Sequence, residues 1–423
     1  MADEWKSKLD AGSVKFGANR AAMVALLGGI RAQEETIREG GGAKAAEAQR
    51  AKGRLTVRER LALLLDKDSQ WMELGLWAAH GMYAELGGAA MHSEISGTVD
   101  FKEPNDHLCL ARLRSLVGKL GNRKQEVGCS EIFSRVAYDA AKDAPRYAAE
   151  ELYGLMDPGV GATNSYDMRE VIARVVDRSE FEEYKADFGR TLVCGYARIG
   201  GRAVGIVANQ KANQSHTVAT GPQAGSQRTE FGGVIYTESA QKAARFIMDC
   251  NQQLVPLIFL HDVNGFMVGK DAEWSGIIRA GAKMVSAVST SVVPKITVIV
   301  GGSFGAGHYA MCGKAYDPRF LFAWPTARYA VMSGASAANT LVEVRVKQME
   351  RGGRNLSPVE KQALYEDIKA TYDSQADPRY GAARLWIDAI IDPAETRSLL
   401  MTALEACAMN VEVAKFNPGV LQT

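Results

Sequence analysis

No stretch of this chain is apolar for long enough to cross a bilayer. The densest, Ile296 to Val300, is strand-sized, whereas a spanning helix needs about 20 residues. Neither sign of charge dominates: 50 basic residues stand against 49 acidic ones. That balance gives no reason to expect a nucleic-acid partner or a membrane surface. Cys-x-x-Cys pairs are also missing. The six cysteines, Cys109, Cys129, Cys194, Cys250, Cys312 and Cys407, lie far apart, and the nearest histidines add no ligand pattern. Scattered thiols in apolar segments read as reduced core residues, so a reducing compartment is expected and a metal site is not. Met1 to Lys8 is polar and carries acids, unlike a signal or transit peptide, and a cytoplasmic location is expected.

What is present is an ordinary globular composition, 47% hydrophobic and 23% charged, over 423 residues. About 150 residues per domain gives two or three domains. The first fifty residues are rich in Ala, Glu, Lys and Arg and predict a helical arm over Arg20 to Arg38, then a Gly40-Gly41-Gly42 break. Leu55 to Leu65 has helical spacing, with Thr56 as N-cap and Glu59 three residues on. Another helix is expected over Asp106 to Leu120, and Gly121 to Ser165 reads partly as a connection.

From Tyr166 the pattern becomes regular. A helix over Arg169 to Val176 precedes a strand pair, Thr191 to Ile199 and Ala203 to Ala208, and then a polar loop from Lys211 to Gly233. Helix Thr237 to Gln252 leads to strand Val255 to His261, and helix Ile277 to Val288 leads to strand Lys295 to Val300. A glycine turn then enters a helix through Met311, with further strands at Phe320 to Ala323 and Tyr329 to Met332. Helices close the chain at Ala335 to Met349, Pro358 to Tyr372 and Pro393 to Val411. Strands alternating with helices of this length imply an α/β layered domain.

Two strand ends stand out. One is His261-Asp262-Val263-Asn264-Gly265-Phe266-Met267-Val268-Gly269, and the other is Gly301-Gly302-Ser303-Phe304-Gly305-Ala306-Gly307-His308. Small residues where a strand meets a helix can leave backbone N–H groups converging on one point, suited to an oxyanion. Local pattern does not choose between such a site and a glycine turn kept for tight packing. Gly301-Gly302-Ser303-Phe304-Gly305 also fits the nucleophile-elbow pattern, but no histidine follows His308 to serve as the base. Gly305 to Ala310 fits a loose dinucleotide fingerprint, yet no acid lies between Asp317 and Glu343 to hold a ribose. His308 reads as a capping or packed histidine. His261 and Asp262 are neighbours on a strand and point to opposite faces. Asp377 with Arg379, and Asp392 with Arg397, read as helix starts and surface ion pairs.

The run Phe259 to Gly269, with Val293 to Thr297 and Gly301 to Gly307, closely resembles the carboxyltransferase (beta) subunits of biotin-dependent acyl-CoA carboxylases, most of all the methylcrotonoyl-CoA carboxylase type. Tyr166 to Ile172, Cys312 to Phe320, Arg384 to Asp388, Ile391 to Pro393 and Gly53 to Arg60 support it in the family's order, so the resemblance covers about Gly53 to Pro418. It implies a crotonase-like fold (the ClpP/crotonase type) of repeated strand-strand-helix units. One C-terminal domain, 146–423, would be complete and face biotin. Residues 1–145 would be a helical arm plus the remnant of a shortened N-terminal, acyl-CoA-side domain. Gly81 to Glu85 resembles that domain's start and Ala90 to Gly97 its far end, with little between.

The resemblance further implies transfer of a carboxyl group from carboxybiotin to an acyl-CoA, 3-methylcrotonyl-CoA first among the candidates. Acetyl-, propionyl- or geranyl-CoA are alternatives, as is a non-catalytic biotin-docking role if the acyl-CoA half is truncated. Amides of Phe266, Ala306 and Gly307 would stabilise the negative biotin oxygen, with Gly265 and Gly305 completing the biotin-binding turns. No Met-Lys-Met biotinylation motif occurs, so biotin would arrive on a biotin carboxylase or biotin carboxyl carrier subunit. A homo-oligomer, hexameric in the family, is implied.

Overall fold

The structure is a computed structural model that describes residues 3–65, 72–78, 80, 107–108, 110–111, 136–159, 164–217, 227–352, 355–410 and 414–415. The expected domain remnant at 81–97, most of the helix expected over 106–120, and Cys109 and Cys129 lie outside these residues.

A mixed sheet forms the centre. Across it run Asp3–Glu4, Glu180–Glu183, Leu192–Ile199, Arg202–Asn209, Leu257–Val263, Lys295–Phe304, Phe320–Ala323 and Ala389–Ile390, with Arg328–Ala330 also paired to Lys295–Phe304. The first four strands are antiparallel, and every pairing from Arg202–Asn209 onward is parallel. Leu257–Val263 and Lys295–Phe304 are buried along their whole length, as parallel strands covered on both faces must be.

Alternation sorts the side chains into two layers. Ile206, Ala208, Ile258, Leu260, Ile296 and Val298 pack beneath the helices Val14–Arg38, Met168–Val175 and Thr396–Ala408. Leu192, Cys194, Val207, Leu257 and Phe259 pack beneath Thr237–Gln252 and Ile277–Ser289. The strand pair at Leu192 to Asn209 and the Thr237–Gln252 helix make one strand-strand-helix unit. The four cysteines among the described residues are buried and free, as reduced core residues should be.

Helix starts follow the side chains that cap them. Thr56 and Glu59 form a capping box before Val57–Leu64, and Ser357 and Glu360 do the same before Pro358–Ala376. Several boundaries differ from the sequence expectation. The arm begins at Val14, where Ser13 accepts from Phe16 N, rather than at Arg20. The strand expected at Val255 to His261 runs from Leu257 to Val263, because Pro256 has no N–H for a ladder. The strand expected to stop at Val300 continues to Phe304 through a register irregularity between Ile299 and Ser303. The edge strand near Tyr329 is Arg328–Ala330, and the last helix starts only at Thr396, after a short 3₁₀ turn at Pro393–Glu395.

Candidate functional site

Each of the two chemical strand ends is shaped by one demanding glycine. Gly265 has φ +136° and Gly305 has φ +53°, conformations that an L side chain resists. Gly265–Phe266 leaves the central sheet and pairs in parallel with Val234–Ile235, fixed by Asn264 N donating to Gly233 O at 2.7 Å and Met267 N to Ile235 O at 2.9 Å. Gly305 opens the short helix Gly305–Ala310, in which Ala306 is exposed and Gly307 buried. N–H groups in a helix's first turn lack helical partners, and Ala306 and Gly307 both sit there.

The fold presses these turns together. A Cβ added to Gly307 would stand 2.5 Å from Val263 Cγ2 and 3.2 Å from Gly265 Cα. Only glycine lets the second turn come this close to the first. The Phe266 ring lies against the Ile277–Ser289 helix at Gly281, where an added Cβ would be 3.0 Å from the ring. Phe266 as a whole is half-buried. Beyond Phe266, a cavity of about 260 Å³ is lined by Tyr236, Met267, Val268, Gly269, Lys270 and Ser275 among others. Thus Gly265, Phe266, Gly305, Ala306 and Gly307 form one neighbourhood.

Beneath the turns the two sheet faces carry different chemistry. His261 points to one side and Asp262 to the other, as strand alternation requires. His261 Nδ1 lies 2.9 Å from Ser303 Oγ, and Ser303 Oγ lies 2.8 Å from His308 Nδ1. His261 Nε2 bonds the Met311 carbonyl, and Lys314 N donates to His308 Nε2 at 3.3 Å. Burial pushes His261 down to about 3, with His308 adding to the shift, and burial pushes His308 down to about 4. Both rings are therefore neutral near pH 7, and the protons have one arrangement. A carbonyl only accepts, so His261 carries its proton on Nε2 and accepts from Ser303 O–H at Nδ1. His308, which accepts from Lys314 at Nε2, donates from Nδ1 to Ser303.

Two histidines thus reach the serine that sequence order left without a base. The hydroxyl is nonetheless fully buried and committed at both ends, so no substrate meets it. His308 is a packed histidine, its ring 4.3 Å from that of Tyr329. Among the described residues, no group of three or more His, Cys, Asp or Glu could hold a metal ion.

On the opposite face, Asp262 meets Lys211 at 2.8 Å, both side chains only 2% exposed. Tyr166 OH donates to Asp262 Oδ2 at 2.9 Å, Gly302 N donates to Oδ1 at 2.8 Å, and Lys211 Nζ reaches Asn264 Oδ1 at 3.3 Å. Burial and then the neighbouring carboxylate push the Tyr166 phenol far above its usual range. Sequence reasoning missed this group. Lys211 read as the start of a polar loop, and nothing local marks it as buried. Gly301-Gly302, taken for a turn, instead lets the strand bulge around the carboxylate: a Cβ at Gly301 would be 2.3 Å from Asp262 Oδ2. Arg397 does not join Asp392 in a surface pair but bonds the buried Asp177 at 2.6 Å, while Asp392 caps Pro393–Glu395 and accepts from Tyr153. Asp377 and Arg379 do pair beside the start of Pro378–Ala383.

Known proteins share this architecture. The family described as "Carboxyl transferase domain" matches residues 76–418. The biotin-dependent 3-methylcrotonyl-coenzyme A carboxylase beta1 subunit of Mycobacterium tuberculosis is 42% identical over 77% of this chain and 55% of its own. The crystal structure of the P. aeruginosa geranyl-CoA carboxylase beta subunit superposes with a TM-score of 0.73 at 28% identity, over 98% of this chain and 99% of that one. The transcarboxylase 12S crystal structure, whose title describes a hexamer assembly, has a TM-score of 0.54 at 31% identity over 80% and 57% of the two chains. The fold is the crotonase-like one that the resemblance implied. The chain spans about half the length of the curated relatives it matches. No helix among the described residues is long and apolar enough to cross a membrane.

Proposed function

Because the chain belongs to the carboxyl transferase family, we propose that it transfers a carboxyl group from carboxybiotin to an acyl-CoA, with 3-methylcrotonyl-CoA as acceptor. The observation that carries this is the apposition of the two glycine turns, with Gly307 packed on Gly265. It favours stabilising an anion by backbone donors. Relatives named as 3-methylcrotonyl-CoA carboxylase subunits support the choice of acyl group.

The turns fit a ureido group, which needs donors to a single oxygen and room for backbone to approach it. When bound, carboxybiotin supplies CO2 and a ring nitrogen able to take a proton from the acyl group. This chain's residues then have two tasks. Amides of Phe266, Ala306 and Gly307 would hold the ureido oxygen and would stabilise its negative charge, each such donor being worth roughly 10²–10³ in rate. Gly265 and Gly305 would keep the donors at one spacing, and the cavity lined by Met267 to Lys270 would offer room for the ring. The backbone donors carry no proton chemistry of their own; their contribution is electrostatic, and positioning adds to it.

Biotin would be delivered by a biotin carboxylase or biotin carboxyl carrier subunit. The assembly would be a hexamer of this chain, like the hexamer assembly of transcarboxylase 12S. Residues 146–423 would form the biotin-side domain, and 1–145 an arm and remnant of the acyl-CoA side. The location would be cytoplasmic, and recovery from an organelle on fractionation would overturn that part. The test is run in reverse: purified chain, free biotin and 3-methylglutaconyl-CoA should give biotin-dependent release of 3-methylcrotonyl-CoA, the carboxyl group passing to biotin as carboxybiotin and the biotin ring-nitrogen proton to the acyl carbon. Geranyl- or propionyl-type product esters as better substrates would replace the acceptor. Absent turnover in a chain that still binds the biotin-carrying subunit would favour the docking role instead.

A further inference from the structure

We infer that Asp262, Lys211 and Tyr166 act as positioning residues, a buried polar clamp that sets the two anion-binding turns against each other. This rests on the carboxyl-transfer function proposed above. The clamp begins with a mismatch of lengths. His261 and Val263 pair with Ile299 and Ser303, so Asp262 alone faces Val300, Gly301 and Gly302. The surplus backbone bulges, and the Asp262 carboxylate fills the space and captures the freed Gly302 N–H at 2.8 Å. Gly301 must lack a side chain, because a Cβ there would lie 2.3 Å from the carboxylate. The bulge ends four residues before Ala306 and therefore aims the second turn.

The other end of the clamp holds the first turn. Lys211, paired with Asp262, also reaches Asn264 Oδ1, the residue before Gly265. Gly233 closes over this pair, with its missing Cβ 3.1 Å from Lys211 Nζ, and accepts the Asn264 N–H. Tyr166 occupies Asp262 Oδ2, and Asn209 Oδ1 accepts the Asp262 N–H at 3.2 Å. Asp262 thus ties the two turns together through its carboxylate and meets the strand pair through its main-chain N–H.

Stability alone does not explain such a group. A buried ion pair is often no better for folding than apolar residues of similar volume. Its bonds go to backbone and side chains of the two turns, where a shift of about 1 Å costs on the order of 10²-fold in rate. None of the three side chains is exposed, so each acts through the turns and not on substrate.

Three variants of the full chain test this: Asp262→Asn, Lys211→Met, and the two combined. The single changes leave one buried charge unpaired and lower the melting temperature. The combined change removes both charges and should recover most of it. Under the clamp, its kcat should stay about 10²-fold down with KM little changed, the pattern of donors felt only in the transition state. Hydrogen exchange needs no substrate and should quicken about tenfold in 264–269 and 301–307 in the combined variant, an opening easier by about 1.4 kcal/mol. Wild-type kcat and exchange in the combined variant would overturn the clamp. A wild-type chain without carboxyl transfer, whose turns still loosen in the variant, would sink the proposed reaction and leave the clamp standing.

Discussion

Placing one methyl group at Gly307 tests the apposition of the turns directly. The new Cβ of Gly307→Ala would sit 2.5 Å from Val263 Cγ2 and 3.2 Å from Gly265 Cα. Comfortable carbon contacts lie at about 3.5–4.0 Å, so the turns must part by roughly 1 Å. Overpacking of this kind costs about 1–3 kcal/mol in stability. The larger effect falls on rate, because donors moved by that distance lose about 10²-fold. The assay is biotin-dependent release of 3-methylcrotonyl-CoA, beside a urea titration for stability. Adding Val263→Ala removes the Cγ2 atom but leaves the Gly265 contact. The double variant should therefore regain stability ahead of rate. Wild-type kcat and stability in Gly307→Ala would refute the close approach and the anion site built on it.

Further outcomes follow from the groups beneath. Ser303→Ala removes the hydroxyl between two buried imidazoles and should cost about 1–3 kcal/mol in a urea titration, with transfer activity retained; a covalent acyl-serine seen by mass spectrometry would contradict its burial. Both histidines bind protons more weakly folded, at about 3 and about 4, than at the ordinary 6.5. The unfolded chain therefore takes up more protons as pH falls, and the contribution present above pH 6.5 is lost progressively toward pH 4. The slope is at most about 1.4 kcal/mol per pH unit for each ring, and His308→Asn should flatten it in thermal melts read between pH 7 and 4. Gly301→Ala drives a Cβ to 2.3 Å from the Asp262 carboxylate and should lower the melting temperature more than Gly302→Ala, whose new atom would first meet the Phe304 ring edge at 2.9 Å; the reverse order would argue against the bulge.

Much of the layered fold was legible because helices and strands announce themselves by local period. The strand pair at Leu192 to Asn209, the helices Thr237–Gln252 and Ile277–Ser289, and the opposite facing of His261 and Asp262 all come from spacing within a few residues. The glycine turns were legible as turns, and the family resemblance linked them. Contacts between distant segments were hidden. Lys211 is separated from Asp262 by a polar loop, and Tyr166 by 96 residues. A lysine in a Gln- and Ser-rich stretch looks solvated until the fold supplies its carboxylate. Ser303 looked like a nucleophile without a base, because sequence order reveals neither that His261 lies on the next strand nor that the hydroxyl is sealed. The strand running past Val300 was missed for a related reason: paired glycines signal a turn locally, yet here a carboxylate from another strand keeps them in the sheet.

The alternation at the end of the Leu257–Val263 strand bears on how the sheet assembles. A strand slipped by one residue would exchange His261 and Asp262 between the layers. The carboxylate would then face the Met311 carbonyl and the neutral His308 imidazole, and Lys211 would be left without its counter-charge. Removing one partner of a buried ion pair costs about 3–5 kcal/mol, whereas the apolar residues before it, Leu257 to Leu260, would tolerate either face. The strand's oily part is thus indifferent to direction and its last polar pair is not. Those two adjacent residues work as a key that fits one way round, favouring the native register over the slipped one.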